Sequence, residues 1–335
     1  MPETIASRAR SMMAHPHEIV DIVCSARDAA PFIQQTLESV QAQTHRDWRL
    51  WFRDDASSDG TADIVRAASA RDPRISLLHT GAPNLGVNGG YAWLLDHLPP
   101  TTRWVACIDA DDLWDPSRLA HTLEVARRAT AQIGEARPLL VHSDAQLIDA
   151  ENRLLAPSYW ARMGLQPDPT DLARLVIQNV ATNSTLLFNR ALLDRLRPMP
   201  ALGPSSPDWW IALTAAAFGE LVAVHTPLMG YRQHTTNDVG ATEGPVRGLG
   251  DALRRLRRFH AVAPRVRRDL DKLCRQARAF AERHREELSP EMVHWLERLG
   301  GIPEAPWLIR KFAIARYRLR QEHGWLRNLG VLWRG

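Results

Sequence analysis

"RWVACIDADDLW", residues 103–114, begins as an apolar run and ends in a knot of carboxylates. Val105, Ala106, Cys107 and Ile108 read as the tail of a buried strand. Asp109, Asp111 and Asp112 then crowd negative charge where that strand leaves its sheet. Carboxylates so placed repel one another unless something positive is shared between them. Mn²⁺ or Mg²⁺ is the natural guest, because such ions take oxygen ligands and combine one or two carboxylates with substrate phosphates. Taken alone, the same residues also read as a solvated acidic turn ahead of a helix that Pro116 opens.

Upstream, strand-like and helix-like segments alternate. "IVDIVCS" (19–25), "WRLWF" (48–52), "RISLLHT" (74–80) and "RWVACID" (103–109) are strand candidates. Between them lie helix-like stretches at 31–44, from Thr61 onward and after the glycines of "NLGVNGG", with another at 116–129. Strands separated by helices of this length predict an α/β fold with a mostly parallel central sheet. Ligands of such sheets bind beyond the carboxyl ends of the strands. Three strand ends here carry polar clusters, Ser25–Asp28, Asp54–Asp59 and Asp109–Asp112, and one crevice should gather them. Within "RDDASSDGT", Asp59 reads as a capping residue and Asp55 as the one that faces the crevice. "NLGVNGG" is open to two readings, a backbone cradle for phosphate or a turn that needs positive φ.

After residue 138 the alternation breaks. "PLLVHSDAQLIDA" and "TNSTLLFNR" look like strands, and "DWWIALTAAAF" (208–218) looks like a helix capped by Asp208. His142 and Asp144 read as a satisfied pair at a strand end. "LVAVHTPLMGYRQH" (221–234) is a strand running into a polar segment that contains Arg232 and His234.

The bulk properties fit a globular chain of 335 residues, 45% hydrophobic and 24% charged. No apolar run approaches the roughly 18 residues of a membrane span. Residues 1–17 read as a flexible leader without a secretory signal. Cys24, Cys107 and Cys274 match neither a zinc site nor a disulfide framework, which favours a reducing, cytoplasmic setting. The net charge of +4 hides an asymmetry: residues 246–335 hold 21 Lys+Arg against 10 Asp+Glu, and the remainder 21 against 28.

The ordered succession "VDIVCSARD", "TLESVQAQTHRDWRLWFRDDASSDGT", "NLGV", "DADDLWDPSRL", "PDWW" and "YRQHTTNDVGA" resembles the family-2 inverting nucleotide-sugar glycosyltransferases. More narrowly it is similar to their bacterial rhamnosyltransferase-like branch. The match runs over about residues 18–240. The resemblance implies a GT-A fold for residues 18–245, with a C-terminal helical appendage over 246–335. It implies nucleotide contacts from Ser25, Arg27, Asp55 and Asp109, with Asp55 accepting the base imide. It implies a metal held by Asp111, Asp109 and His234, with Asp112 supporting the loop and Arg232 beside the diphosphate. Where relatives often carry an aromatic residue and Asn after the first strand, this chain has Arg27 and Asp28, so a guanidinium would replace the ring that stacks on the base. The implied activity moves a sugar, L-rhamnose from dTDP-L-rhamnose or else a sugar from a UDP donor, to a glycan or polyprenyl-diphosphate-linked acceptor.

Asp208 is the catalytic candidate. Inverting transfer needs a carboxylate to take the acceptor hydroxyl's proton, and Trp209 and Trp210 behind it could form the acceptor's stacking wall. An N-capping Asp with tryptophans in the core is the structural alternative. The arginine-rich tail admits two readings: amphipathic helices lying on an anionic membrane surface at the inner leaflet, or helices packed on the domain with a solvated basic face. Two rival functions remain in view. Nucleic-acid binding suits a basic tail but has no recognised motif behind it, and a nucleotidyltransferase would need the metal but not Asp208.

Overall fold

Strand β1 (Val20–Ala26) is buried on both faces, all but Ser25 lying in the core, as the central strand of a covered sheet must be. The computed structural model describes residues 18–78, 83–168, 171–200, 206–234 and 259–304, with side chains of 259–270 excepted. β1 pairs in parallel with β2 (Trp48–Asp54) and β4 (Trp104–Cys107), and β2 pairs in parallel with β3 (Ile75–Leu78). The linking helices are α1 (Ile33–Gln41), α2 (Thr61–Arg71) and α3 (Gly86–His97). In α1 the buried residues Ile33, Thr36, Leu37 and Val40 fall at helical spacing and form its inner stripe. α1 starts two residues after Pro31 because Phe32 N–H and Ile33 N–H both donate to Ala29 O, which turns the chain first.

Beyond β4 the sheet becomes mixed. Its order is β3-β2-β1-β4-β8-β6-β9-β5, with β7 (Leu154–Ala156) beside β6. β8 (Leu187–Asn189) is antiparallel to β4 and β6 (Leu139–Ile148). The long β9 (Glu220–Arg232) runs parallel to β6 and pairs antiparallel with β5 (Leu113–Trp114). The parallel half is therefore the one that the strand–helix alternation announces. The mixed half comes from the region where that alternation fails.

Alternating residues along the strands feed two cores. Val23, Val105 and Cys107 face one, with Tyr91, Phe188 and Trp210; Ile22, Cys24, Ala106 and Ile108 face the other, with Leu37, Phe52 and Leu119. α4 (Arg118–Ile133) covers the second core. The first is closed by α8 (Pro207–Phe218), α5 (Tyr159–Met163), α6 (Leu172–Ile177) and α7 (Arg190–Leu196). It also takes in Leu273, Cys274, Ala277, Phe280 and Ala281 of α9 (Phe259–Arg283) and Leu296 and Leu299 of α10 (Pro290–Gly300). The ring centroids of Trp210 and Phe280 lie 5.2 Å apart. Through residues 271–304 the C-terminal helices thus share the core of residues 18–234 and sit on the domain. The remaining tail, including 305–335, lies outside the described residues, as does the leader 1–17. All three cysteines are buried and free.

Candidate active site

The carboxyl ends of β1, β2 and β4 stand side by side, since Ala26 is in register with Asp54 and Val23 with Cys107. The three polar clusters therefore emerge along one edge of the sheet. Ser25 is half-buried at the tip of β1 and packs so closely on Gly90 that a Cβ built there would come 2.1 Å from Ser25 Oγ. Arg27 is exposed, with its Nε 3.4 Å from the Asp28 carboxylate.

Asp55 departs from its expected role. It is 3% exposed, and its carboxylate accepts the Leu85 N–H at 2.9 Å and the Gly86 N–H at 2.8 Å, with Arg53 Nη2 at 3.3 Å. In this state Asp55 holds the start of α3, and no free carboxylate is presented to a nucleobase imide. Gly86 takes positive φ (67°), as the turn reading of "NLGVNGG" requires, and the N–H groups of Leu85 and Gly86 serve Asp55. Asp59 precedes the N-cap Gly60 of α2 and accepts from Thr61 N–H at 3.0 Å and Ala30 N–H at 2.9 Å, a structural role.

Past β4 the acidic residues separate into different tasks. Asp109 is half-buried, and its Oδ1 accepts from Tyr91 Oη at 2.9 Å and Asn183 Nδ2 at 2.7 Å. Burial and then the charge of Asp111 push its pKa up to about 7. Asp112 is fully buried; it accepts Ser184 Oγ–H at 2.6 Å and the Arg232 N–H at 3.1 Å, which ties the end of β9 to this loop. Burial and its acidic neighbours raise its pKa as well. Asp111 alone turns outward, and its Oδ2 lies 2.9 Å from His234 Nε2. The His234 ring is in turn stacked on Phe32, with centroids 4.6 Å apart.

Asp111 and His234 are suitable ligands for a divalent cation: a partly exposed carboxylate oxygen and an imidazole nitrogen, beside two further carboxylates whose repulsion a cation would relieve. No group of three or more ligating side chains converges among the described residues. Asp109 commits its Oδ1 to Tyr91 and Asn183 and is not gathered with the pair among the described residues, which departs from its expected place as a ligand. A bound cation would draw its other ligands from diphosphate oxygens and water.

Two further expectations are corrected. Arg232 is fully buried, with Nε donating to Asp111 O at 2.6 Å, Nη1 to Ala150 O at 3.1 Å and Nη2 to Gln35 Oε1 at 3.0 Å. Its Nη1 also meets the Asn152 side chain, and the guanidinium lies 4.9 Å over Phe32. It braces the metal-candidate loop from behind and does not reach for a diphosphate. Trp210 is 1% exposed and packs among core residues, so it offers no face to an acceptor. Trp209 is half-buried, and its indole N–H donates to Leu175 O.

Asp208 lies in the first turn of α8, behind Ser206 at the N-cap and Pro207 at the first helical position, so the cap is Ser206. Its Oδ2 accepts Asn179 Nδ2 at 3.0 Å. Burial raises its pKa, and its charge in turn raises those of Asp109 and Tyr159, so all three share one electrostatic neighbourhood. A carboxylate that is half-buried, held by an amide and raised in basicity can accept a proton from a hydroxyl. His142 and Asp144 do not form the expected pair. Asp144 accepts from Ala145 N–H and Trp160 N–H, whereas neither ring nitrogen of fully buried His142 has a partner among the described residues. Sequence reasoning passed over Tyr91, Asn179, Asn183 and Ser184, neutral residues with no local pattern to mark them.

Comparisons with known proteins bear on the family and the fold. Residues 21–136 match the family described as Glycosyl transferase family 2. An uncharacterised glycosyltransferase of Nostoc sp. is 25% identical over 65% of this chain and 66% of its own length. The succinoglycan biosynthesis protein ExoO of Rhizobium meliloti is 31% identical over 38% of each chain. The matched region thus spans about two-fifths to two-thirds of these relatives. Among solved structures, S. aureus TarS in complex with UDP-GlcNAc superposes with a TM-score of 0.53 at 12% identity, over 93% of this chain and 89% of that one. That likeness bears on the fold, which is GT-A-like.

Proposed function

We propose that this crevice is the donor and catalytic site of an inverting, metal-dependent glycosyltransferase, a reading supported by the match of residues 21–136 to Glycosyl transferase family 2. The observation that carries this reading is the placement of Asp111 and His234, 2.9 Å apart, at the carboxyl edge of the parallel strands; the charge of Asp208 acts on Asp109 in the same loop. In the reaction, Asp208 takes the proton from an acceptor hydroxyl as that oxygen bonds to the anomeric carbon. The bond from that carbon to the nucleoside diphosphate breaks on the opposite face, which inverts the centre. A divalent cation held by Asp111 and His234 would supply Lewis-acid stabilisation of the departing diphosphate. Asn179 fixes the rotamer of Asp208, and Asp112 with Arg232 fixes the loop that carries Asp111.

The proposed acceptor is a glycan or lipid-linked glycan of a bacterial surface polysaccharide, consistent with relatives named for succinoglycan synthesis. The proposed donor is dTDP-L-rhamnose, from the sequence resemblance to that branch. A UDP-sugar is the second reading, favoured by the UDP-GlcNAc complex of TarS. We place the enzyme at the inner face of the cytoplasmic membrane, associated peripherally. No helix among the described residues is long and apolar enough to cross a membrane. The test is a donor screen by calorimetry with and without Mn²⁺. Binding of one nucleotide-sugar that needs the metal is expected, and binding of none overturns the proposal.

A further inference from the structure

We propose that the side-chain carbonyl of Asn183 is a substrate-binding acceptor that takes a hydrogen bond from a sugar hydroxyl of the bound donor, an inference that rests on reading this crevice as the donor site. Asn183 is 7% exposed and sits in a short turn, Asn183–Thr185, between β4's acidic loop and β8. Its Nδ2 donates to Asp109 Oδ1 at 2.7 Å, and with Asp109 ionised the reversed amide would set its carbonyl against the carboxylate. The other end, Oδ1, is buried and has no donor among the described residues.

The amide has little freedom to satisfy itself. Its partner Asp109 is held from two other sides, by Tyr91 Oη and by its own N–H on Ser184 Oγ at 2.8 Å. Ser184, the next residue, is locked by its 2.6 Å bond to Asp112. A buried acceptor pinned in this way lacks the partner that most buried polar atoms have. An amide carbonyl calls for a neutral proton donor. Phosphate oxygens at neutral pH are poor candidates and hydroxyls good ones. In a nucleotide-sugar the hydroxyls belong to the pentose or to the sugar being transferred, and the same oxygen could serve either.

The experiment is calorimetric titration with Mn²⁺ of the full chain and of its Asn183→Ala and Asn183→Ser variants. The probes are UDP, dTDP and GDP, and their sugar conjugates. Loss of one hydrogen bond predicts a Kd raised about tenfold in the variants. A rise shared by a nucleoside diphosphate and its conjugate assigns the hydroxyl to the pentose; a rise confined to the conjugate assigns it to the transferred sugar. Tyr91→Phe removes a donor from Asp109 but leaves the Asn183 carbonyl intact. If it weakens the same probes as much as Asn183→Ala, the effect runs through Asp109 and the inference is overturned. Unchanged Kd in both Asn183 variants overturns it too. Wild-type protein that binds no probe would instead refute the donor-site reading itself. Asn183→Ser retains a hydroxyl for Asp109 and keeps the test valid if Asn183→Ala does not fold.

Discussion

His142 offers a quantitative test of how this sheet is buried. The ring lies in β6, fully enclosed, edge-on to Trp160 with centroids 5.3 Å apart, and neither nitrogen has a partner among the described residues. Burial lowers its pKa to about 4, opposed by the charge of Asp168 and assisted by that of His225. The unfolded chain binds the proton at about pH 6.5. A folded-state pKa below the unfolded one means that the stability it protects is fully present above about pH 6.5 and is lost as pH falls towards 4. Across the whole interval the loss is roughly 3 kcal/mol, and by pH 5 it is already about 2 kcal/mol.

His142→Leu nearly conserves volume and removes both orphaned nitrogens, so at pH 8 it should be neutral or stabilising. The decisive quantity is the difference between pH 8 and pH 5. In urea unfolding followed by tryptophan fluorescence, the wild type should lose about 2 kcal/mol more than His142→Leu over that interval. Carboxylates that titrate in the same range are common to both proteins and cancel. Equal losses in the two proteins, or an NMR titration of His142 near pH 6.5, would refute the reasoning.

Other perturbations separate catalysis from support. Asp208→Asn should retain metal-dependent donor binding while transfer falls on the order of 10²–10⁴-fold, and the acidic limb of the wild-type rate profile should lie above the ordinary carboxylate range because burial raises this group; undiminished transfer removes Asp208 from the reaction. Arg232→Lys keeps a positive charge but cannot reproduce the bonds to Asp111 O, Ala150 O and Gln35, so a loss of roughly 3 kcal/mol is expected in urea unfolding. An unaltered midpoint with a raised donor KM would instead restore Arg232 as a phosphate ligand. Gly90→Ala should destabilise the fold, because its Cβ would meet Ser25 Oγ at 2.1 Å, and Ser25→Gly in the same chain should recover part of the loss; additive effects of the two changes would contradict that contact.

What the chain discloses in one dimension follows from what its patterns can encode. Apolar runs ending in acids told where the parallel strands stop, because strand ends and charge are both local features. They could not tell which way each charged group turns. Asp55 and Asp111 are both acids at strand ends, yet one closes onto the N–H groups of Leu85 and Gly86, about 30 residues away in sequence, and the other stays open to His234. Only the arrival of α3 beside β2 decides between them.

Trp209 and Trp210 show a case where local geometry did hold the answer. Neighbours on a helix point about 100° apart, so an adjacent pair cannot form one flat wall for an acceptor. One of them had to turn inward, and it is Trp210 that meets Phe280. The same argument applies to the C-terminal helices. Their arginine count drew a boundary at residue 245, but composition reports the face turned to solvent. The stripe that decides packing, Leu273, Ala277, Phe280 and Ala281, recurs at intervals of four, three and one, a helical period in plain view. A basic segment with such a stripe has somewhere apolar to go. Here that place is the core around Trp210, which leaves a membrane role to be carried by whatever part of the tail has no such partner.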